Sequence, residues 1–178
     1  MAFRNETPIK NDMQQTTNVQ QGYVKLGDIE GEATDSKHEG WSILHRFCVP
    51  IVRTTGGYQQ RERAVGSTGL GDAIVVKDVD SASVKIQKAC ATGQLLPKVQ
   101  VNLCTTENGT SQVYLSYEFE NVIIVGYDLQ DMVGSEQLYV CERVSLSYNK
   151  VTWTYVKFDK SGKSQGKVTD SYTVGSKS

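Results

Sequence analysis

Histidines are the commonest acid–base and metal-binding groups near neutral pH, and this 178-residue sequence holds two, His38 and His45. His38 stands beside Glu39 in a polar turn. His45 stands in an apolar strand segment between Leu44 and Arg46, ahead of Cys48. A cysteine hydrolase needs a base within reach of its nucleophile and a third group that orients the base. Alternation along one strand sends His45 and Cys48 to opposite faces, so no catalytic pair is expected there. The cysteines Cys48, Cys90, Cys104 and Cys141 form no C-x-x-C pair. They read as buried, reduced thiols rather than a metal site or disulfide framework. Among the acids, Asp28, Glu30 and Glu32 come nearest to a paired-carboxylate or metal site. No histidine or asparagine completes their ligand set, and a solvated turn is the simpler reading.

Two glycine-rich stretches also fail as phosphate cradles. Gly162-Lys163-Ser164 resembles the end of a phosphate-binding loop, but Lys157 occupies the place of the first glycine and a strand pattern follows where a helix is needed. Gly66-Ser67-Thr68-Gly69-Leu70-Gly71 reverses the dinucleotide spacing and opens no immediate helix. Asn5-Glu6-Thr7 and Asn108-Gly109-Thr110 match the N-glycosylation acceptor only weakly. No catalytic residue, no cofactor-binding residue and no metal ligand is therefore assigned, and the chain is not expected to be an enzyme.

The elements around these residues are mostly strands. Tyr23 to Leu26 reads as a strand ending at a Gly27-Asp28 turn. Trp41 to Val52 is a second strand region, interrupted by Pro50. Arg53 to Gly71 holds five glycines and the charged run Arg61-Glu62-Arg63 with little periodicity, and is expected to be one long mobile loop. A helix is expected over about 81–92. Asp80 or Ser81 caps its start, Val79, Ala82, Ile86, Ala89 and Cys90 form its apolar face, and Gly93 and Pro97 stop it. Beyond it the period is two. Val99, Val101 and Leu103 alternate with polar neighbours, Asn108-Gly109 marks a hairpin, and Val113, Leu115, Tyr117 and Phe119 alternate again. Further strands are expected at Val122–Tyr127, Leu138–Tyr148 and Val151–Phe158, with a closing strand at Lys167–Val174. The fold class is mainly β: a β-barrel of two sheets with one flanking α-helix, as a single domain over 22–178. Residues 1–21 form a polar, flexible N-terminal arm.

Composition excludes several functions. Lys and Arg number 19 against 20 Asp and Glu, so no basic face for nucleic acid or anionic membrane is expected. No stretch approaches the ~18 apolar residues of a membrane-spanning helix, and Met1 to Gln21 has no apolar signal-peptide core. Cytoplasmic folding without a cleavable signal is expected.

Several segments, in order, resemble the haemolysin-coregulated protein (Hcp) family of type VI secretion systems. They are Tyr23-Val24-Lys25-Leu26-Gly27-Asp28-Ile29-Glu30-Gly31-Glu32 followed by His38 and Trp41-Ser42-Ile43-Leu44; Val76 to Ser83 running into Ile86–Gly93; Pro97 to Leu103; Tyr114 to Val125; and Glu142 to Tyr148 continuing through Tyr155. The start before Gly22 is longer than usual, and His45-Arg46-Phe47-Cys48 replaces a run of aromatic and small residues. The resemblance implies a fold shared with phage tail-tube proteins. It also implies homohexameric rings that stack into a hollow tube inside a contractile sheath, behind a spike, with effector cargo in the lumen. Cytoplasmic assembly would precede secretion. Within that picture Arg53, Tyr58, Arg61, Glu62 and Arg63, on the long loop, are the expected inter-subunit contacts. The alternatives are a ligand-binding β-barrel, a phage-like tail tube protein, and a hydrolytic effector built on the same fold.

Overall fold

The computed structural model describes residues 21–55, 65–107, 110–133 and 138–175. Their order is β1 (Gln21–Leu26), β2 (Ser42–Cys48), β3 (Ile51–Thr55), β4 (Val65–Leu70), β5 (Ala73–Asp78), α1 (Ser83–Thr92), β6 (Leu95–Glu107), β7 (Thr110–Val133), β8 (Leu138–Ser147), β9 (Lys150–Phe158) and β10 (Ser164–Thr173). All strand pairings are antiparallel. One sheet runs β10-β9-β7-β6-β1-β2-β5-β8, and an additional β7–β8 pairing joins its last strand back to β7. Six strands thereby close into a barrel, while β9 and β10 extend outside the ring. The second sheet is the two-stranded β3–β4 hairpin.

One strand makes this topology possible. The alternating runs expected at Val113–Phe119 and Val122–Tyr127 are a single strand of 24 residues, β7. Its first half lies between β6 and β9, and its second half pairs with β8. The change of partner falls at Asn121, whose φ is 53°. Asparagine tolerates this left-handed conformation better than other residues with a Cβ.

Inside the barrel the period of two gives a continuous core. Val24, Leu26, Val75, Val99, Val101, Phe119, Ile124, Val144 and Leu146 pack in one buried cluster. Ala82, Ile86 and Ala89 of the helix face join it, whereas Val79 of the expected face is exposed. Outside the barrel wall, Tyr23 and Cys104 form a second cluster with Ala33, Trp41 and Ile43, beneath the connection between β1 and β2.

The helix stops as its sequence dictates, but its N-cap is Ala82, with no side-chain cap, and not the expected Asp80 or Ser81. Gly93 sits at φ 63°, and the N–H groups of Gly93 and Gln94 donate to the carbonyls of Cys90 and Ala89. This satisfies two of the orphan acceptors at the helix end. At the start, Asp80 Oδ1 accepts the Ala82 N–H at 3.0 Å and Ser83 Oγ accepts the Asp80 N–H at 2.9 Å.

Two further expectations are corrected. The segment Arg53–Gly71 is not one loop: its ends form β3 and β4, paired from Ile51↔Leu70 to Thr55↔Val65. Glycine content masked a hairpin, because Gly69 sits in a strand that lacks a neighbour on its other side. Nor does the last strand close the barrel. β10 pairs only with β9, and closure comes from β7 meeting β8.

Candidate functional site

Three constellations of polar side chains and one bare surface stand out among the described residues. The most deeply buried constellation is an ion pair. Lys77 lies on β5 in phase with Ala73 and Val75, and Glu142 lies on β8 in phase with Val144 and Leu146, so both enter the barrel interior. Both are fully buried. Lys77 Nζ donates to Glu142 Oε1 at 2.5 Å, to Asp80 Oδ1 at 2.8 Å and to the Asp78 carbonyl at 2.6 Å. All three ammonium protons are used, which is what a buried Lys requires. Glu142 Oε2 accepts from the Tyr127 hydroxyl at 2.9 Å, and Gln87 of α1 donates to the same hydroxyl at 3.2 Å. Burial, then the bond to the Glu142 carboxylate, pushes the Tyr127 phenol up to about 12. The network ties β5, β8 and β7 to the start and middle of α1. It holds charge without leaving any group to react.

The second constellation surrounds His38, which is buried rather than in the open turn its neighbours imply. Its ring stacks on Tyr23 with centroids 4.2 Å apart and meets Trp41 edge-on at 5.1 Å. Nδ1 lies 2.8 Å from Asp35 Oδ1, and Nε2 lies 3.0 Å from Asn102 Nδ2. The amide donates to Nε2, so Nδ1 carries the proton given to Asp35. That hydrogen bond is the main reason the Asp35 carboxyl is held below its ordinary range. These contacts pin the β1–β2 connection. Gly31 belongs to the same connection: a Cβ there would strike the Trp41 carbonyl oxygen at 2.6 Å.

The third joins three strands on the outer wall. His45 Nε2 lies 2.6 Å from Asp78 Oδ1, and the ligand atoms of His45, Asp78 and Cys141 all lie within 4.8 Å of one another. Asp78 pairs directly with Cys141 across β5 and β8. His45 reaches them because the β2–β5 register shifts between Leu44 and Arg46. The same shift breaks the alternation assumed for His45 and Cys48: both are exposed, and the thiol beside His45 is Cys141. Burial, reinforced by the Asp78 and Glu142 carboxylates, pushes the Cys141 thiol up.

The acids Asp28, Glu30 and Glu32 gather no such set. Glu32 Oε1 accepts the Ser81 N–H at 3.1 Å, and the Glu30 carbonyl accepts the Ser81 hydroxyl at 3.4 Å, so this turn buttresses the approach to α1.

The bare surface is formed by the strands outside the barrel. No residue of β10 is buried. Val168 is 70% exposed on β10, Tyr155 49% on β9, and Ile51 and Val52 are 56% and 58% exposed on β3. Of the expected contact residues, Arg53 falls on β3, paired with Thr68. Tyr58, Arg61, Glu62 and Arg63 lie outside the described residues.

The described residues thus form a closed barrel with one flanking helix, a two-stranded hairpin and an edge strand paired on one side. The sequence model of the family described as "Type VI secretion system effector, Hcp" matches residues 23–155. The chain belongs to the Hcp family. Among solved structures, a type six secretion system protein is 27% identical, with 87% of this chain and 96% of that one covered and a TM-score of 0.79. Hcp1 from Salmonella typhimurium is 22% identical, covering 86% and 94%, with a TM-score of 0.66. A type VI secretion system effector from Yersinia pestis is 23% identical, covering 86% and 99%, with a TM-score of 0.64. The latter two speak to the fold. No curated protein matches. Hcp proteins are structural tube proteins of type VI secretion that self-assemble into rings, not enzymes. The residues 23–155 also include the β3–β4 hairpin, which is therefore part of the family domain and not an appendage to it.

Proposed function

We propose that this chain is the subunit of a type VI inner tube, assembling as hexameric rings that stack, are ejected by a contractile sheath behind a spike, and carry effectors in the lumen. Membership of the Hcp family carries this reading. The uncovered β10 edge and the exposed apolar residues of β3 support it in this molecule. An edge strand with free backbone groups and exposed apolar side chains is a site for pairing with another chain. Val168 and Tyr155 serve the contact between neighbours within a ring. The hairpin β3–β4, with Arg53, Tyr58, Arg61, Glu62 and Arg63 on or between its strands, reaches from one ring to the next. The barrel interior is filled by its own side chains, so a ligand-binding barrel gains no support.

The test separates ring formation from stacking. Replacing Arg53–Gly69 by a short turn removes the two-stranded sheet without touching a barrel pairing. Rings that form but do not stack in negative-stain images are the expected result. Stacks as long as those of the parent protein would overturn the assignment of the hairpin.

A further inference from the structure

We propose that His45, Asp78 and Cys141 form a binding site for a zinc-type divalent cation on the outer wall of the barrel. The proposal does not depend on ring assembly. Imidazole, carboxylate and thiolate are the three donor types zinc takes from proteins, and a thiolate together with imidazole selects against magnesium and calcium. The donors come from three adjacent strands, β2, β5 and β8, so they are held by backbone ladders and not by loops. Asp78 and Cys141 are register partners. The register shift between Leu44 and Arg46 turns His45 to the outside, beside Asp78. Bulges of this kind re-aim a side chain and recur beside functional sites.

The dimensions suit the ion. Donors around a tetrahedral zinc stand about 3.3–3.6 Å apart, given metal–ligand distances of about 2.0–2.3 Å. These three lie within 4.8 Å, and the partly exposed His45 ring supplies the remaining movement. The ion takes the place of the proton shared between His45 Nε2 and Asp78 Oδ1. Cys141 binds as thiolate, and its proton and the one between His45 and Asp78 both leave to solvent. Water fills the fourth position, as in open three-ligand sites. Asp78 also lines a surface groove with Glu32 and Tyr139, so one of the three donors faces solvent there. A bound ion would clip β2 to β8 across β5, on the wall that carries the buried Lys77–Glu142 pair on its other face.

The experiment uses full-length protein without a histidine tag, stripped with chelator and titrated with cobalt(II) as a spectroscopic stand-in for zinc. One equivalent should produce a thiolate-to-cobalt charge-transfer band and the intense visible bands of tetrahedral cobalt, both erased by zinc. Cys141→Ala should abolish the charge-transfer band, and His45→Ala should weaken binding at least tenfold. His45 is exposed, so its variant stays folded even if the buried Cys141 is less forgiving. Zinc should also raise the melting temperature of the parent protein and leave that of His45→Ala unchanged. Absence of the charge-transfer band in the parent protein, its survival in Cys141→Ala, or an unchanged cobalt affinity in His45→Ala would overturn the site.

Discussion

In β5, Ala73, Val75, Val76 and Lys77 are all buried, whereas in β10 no residue is. Both strands are paired and of ordinary length, so pairing does not distinguish them. The difference is position: β5 has neighbours on both sides within a closed ring, and β10 has one neighbour among the described residues. The barrel satisfies its polar groups internally, down to the last proton of Lys77. The strands outside it keep apolar and hydrogen-bonding capacity for something else. On the proposed reading stability resides in one region and assembly in the other, and substitutions should separate the two.

The largest stability effect is expected at Lys77→Met. It leaves Glu142 buried without its cation, and breaking a buried pair in this way costs about 3–5 kcal/mol. Urea unfolding of the variant checks it, and a loss below about 1 kcal/mol would mean that the network is not the barrel's anchor. Asn121→Val comes next. A β-branched residue forced to φ 53° should cost about 1–2 kcal/mol, while Asn121→Gly stays near the parent stability in the same assay. A smaller, pH-dependent effect is expected from Tyr127. Its pKa is raised to about 12, so its contribution is complete below the ordinary phenol value near 10 and fades as pH rises toward 12. Tyr127→Phe should therefore lose less stability than the parent between those limits, read by denaturation at stepped pH. The smallest effect on folding belongs to Val168→Lys on β10, within about 0.5 kcal/mol as for other exposed positions. The same substitution should abolish ring formation, which sharpens the contrast between the two regions.

Much of the barrel was legible because its code is local. The alternation at Val99–Leu103 and Val113–Phe119 places core and surface directly, and Ala82, Ile86 and Ala89 with Gly93 mark the helix. Lys77 and Glu142 were legible in principle: each keeps phase with buried neighbours, Val75 and Val144, although charge argues for the surface. The site around His45 was not. It depends on a register shift between β2 and β5 and on Cys141 arriving from the far end of the chain, and neither leaves a local signal. The hairpin β3–β4 was hidden because its glycines imitate a loop. The long β7 was hidden because Asn121 looks like a turn, when it bends a strand between two sets of partners.

The most direct test of tube assembly is the native mass of the purified chain, measured by light scattering on a sizing column with negative-stain images of the same peak. A six-subunit mass with annular particles is predicted, reduced to a folded monomer in Val168→Lys. A strict monomer of the parent protein at high concentration, with its fold intact, would contradict it.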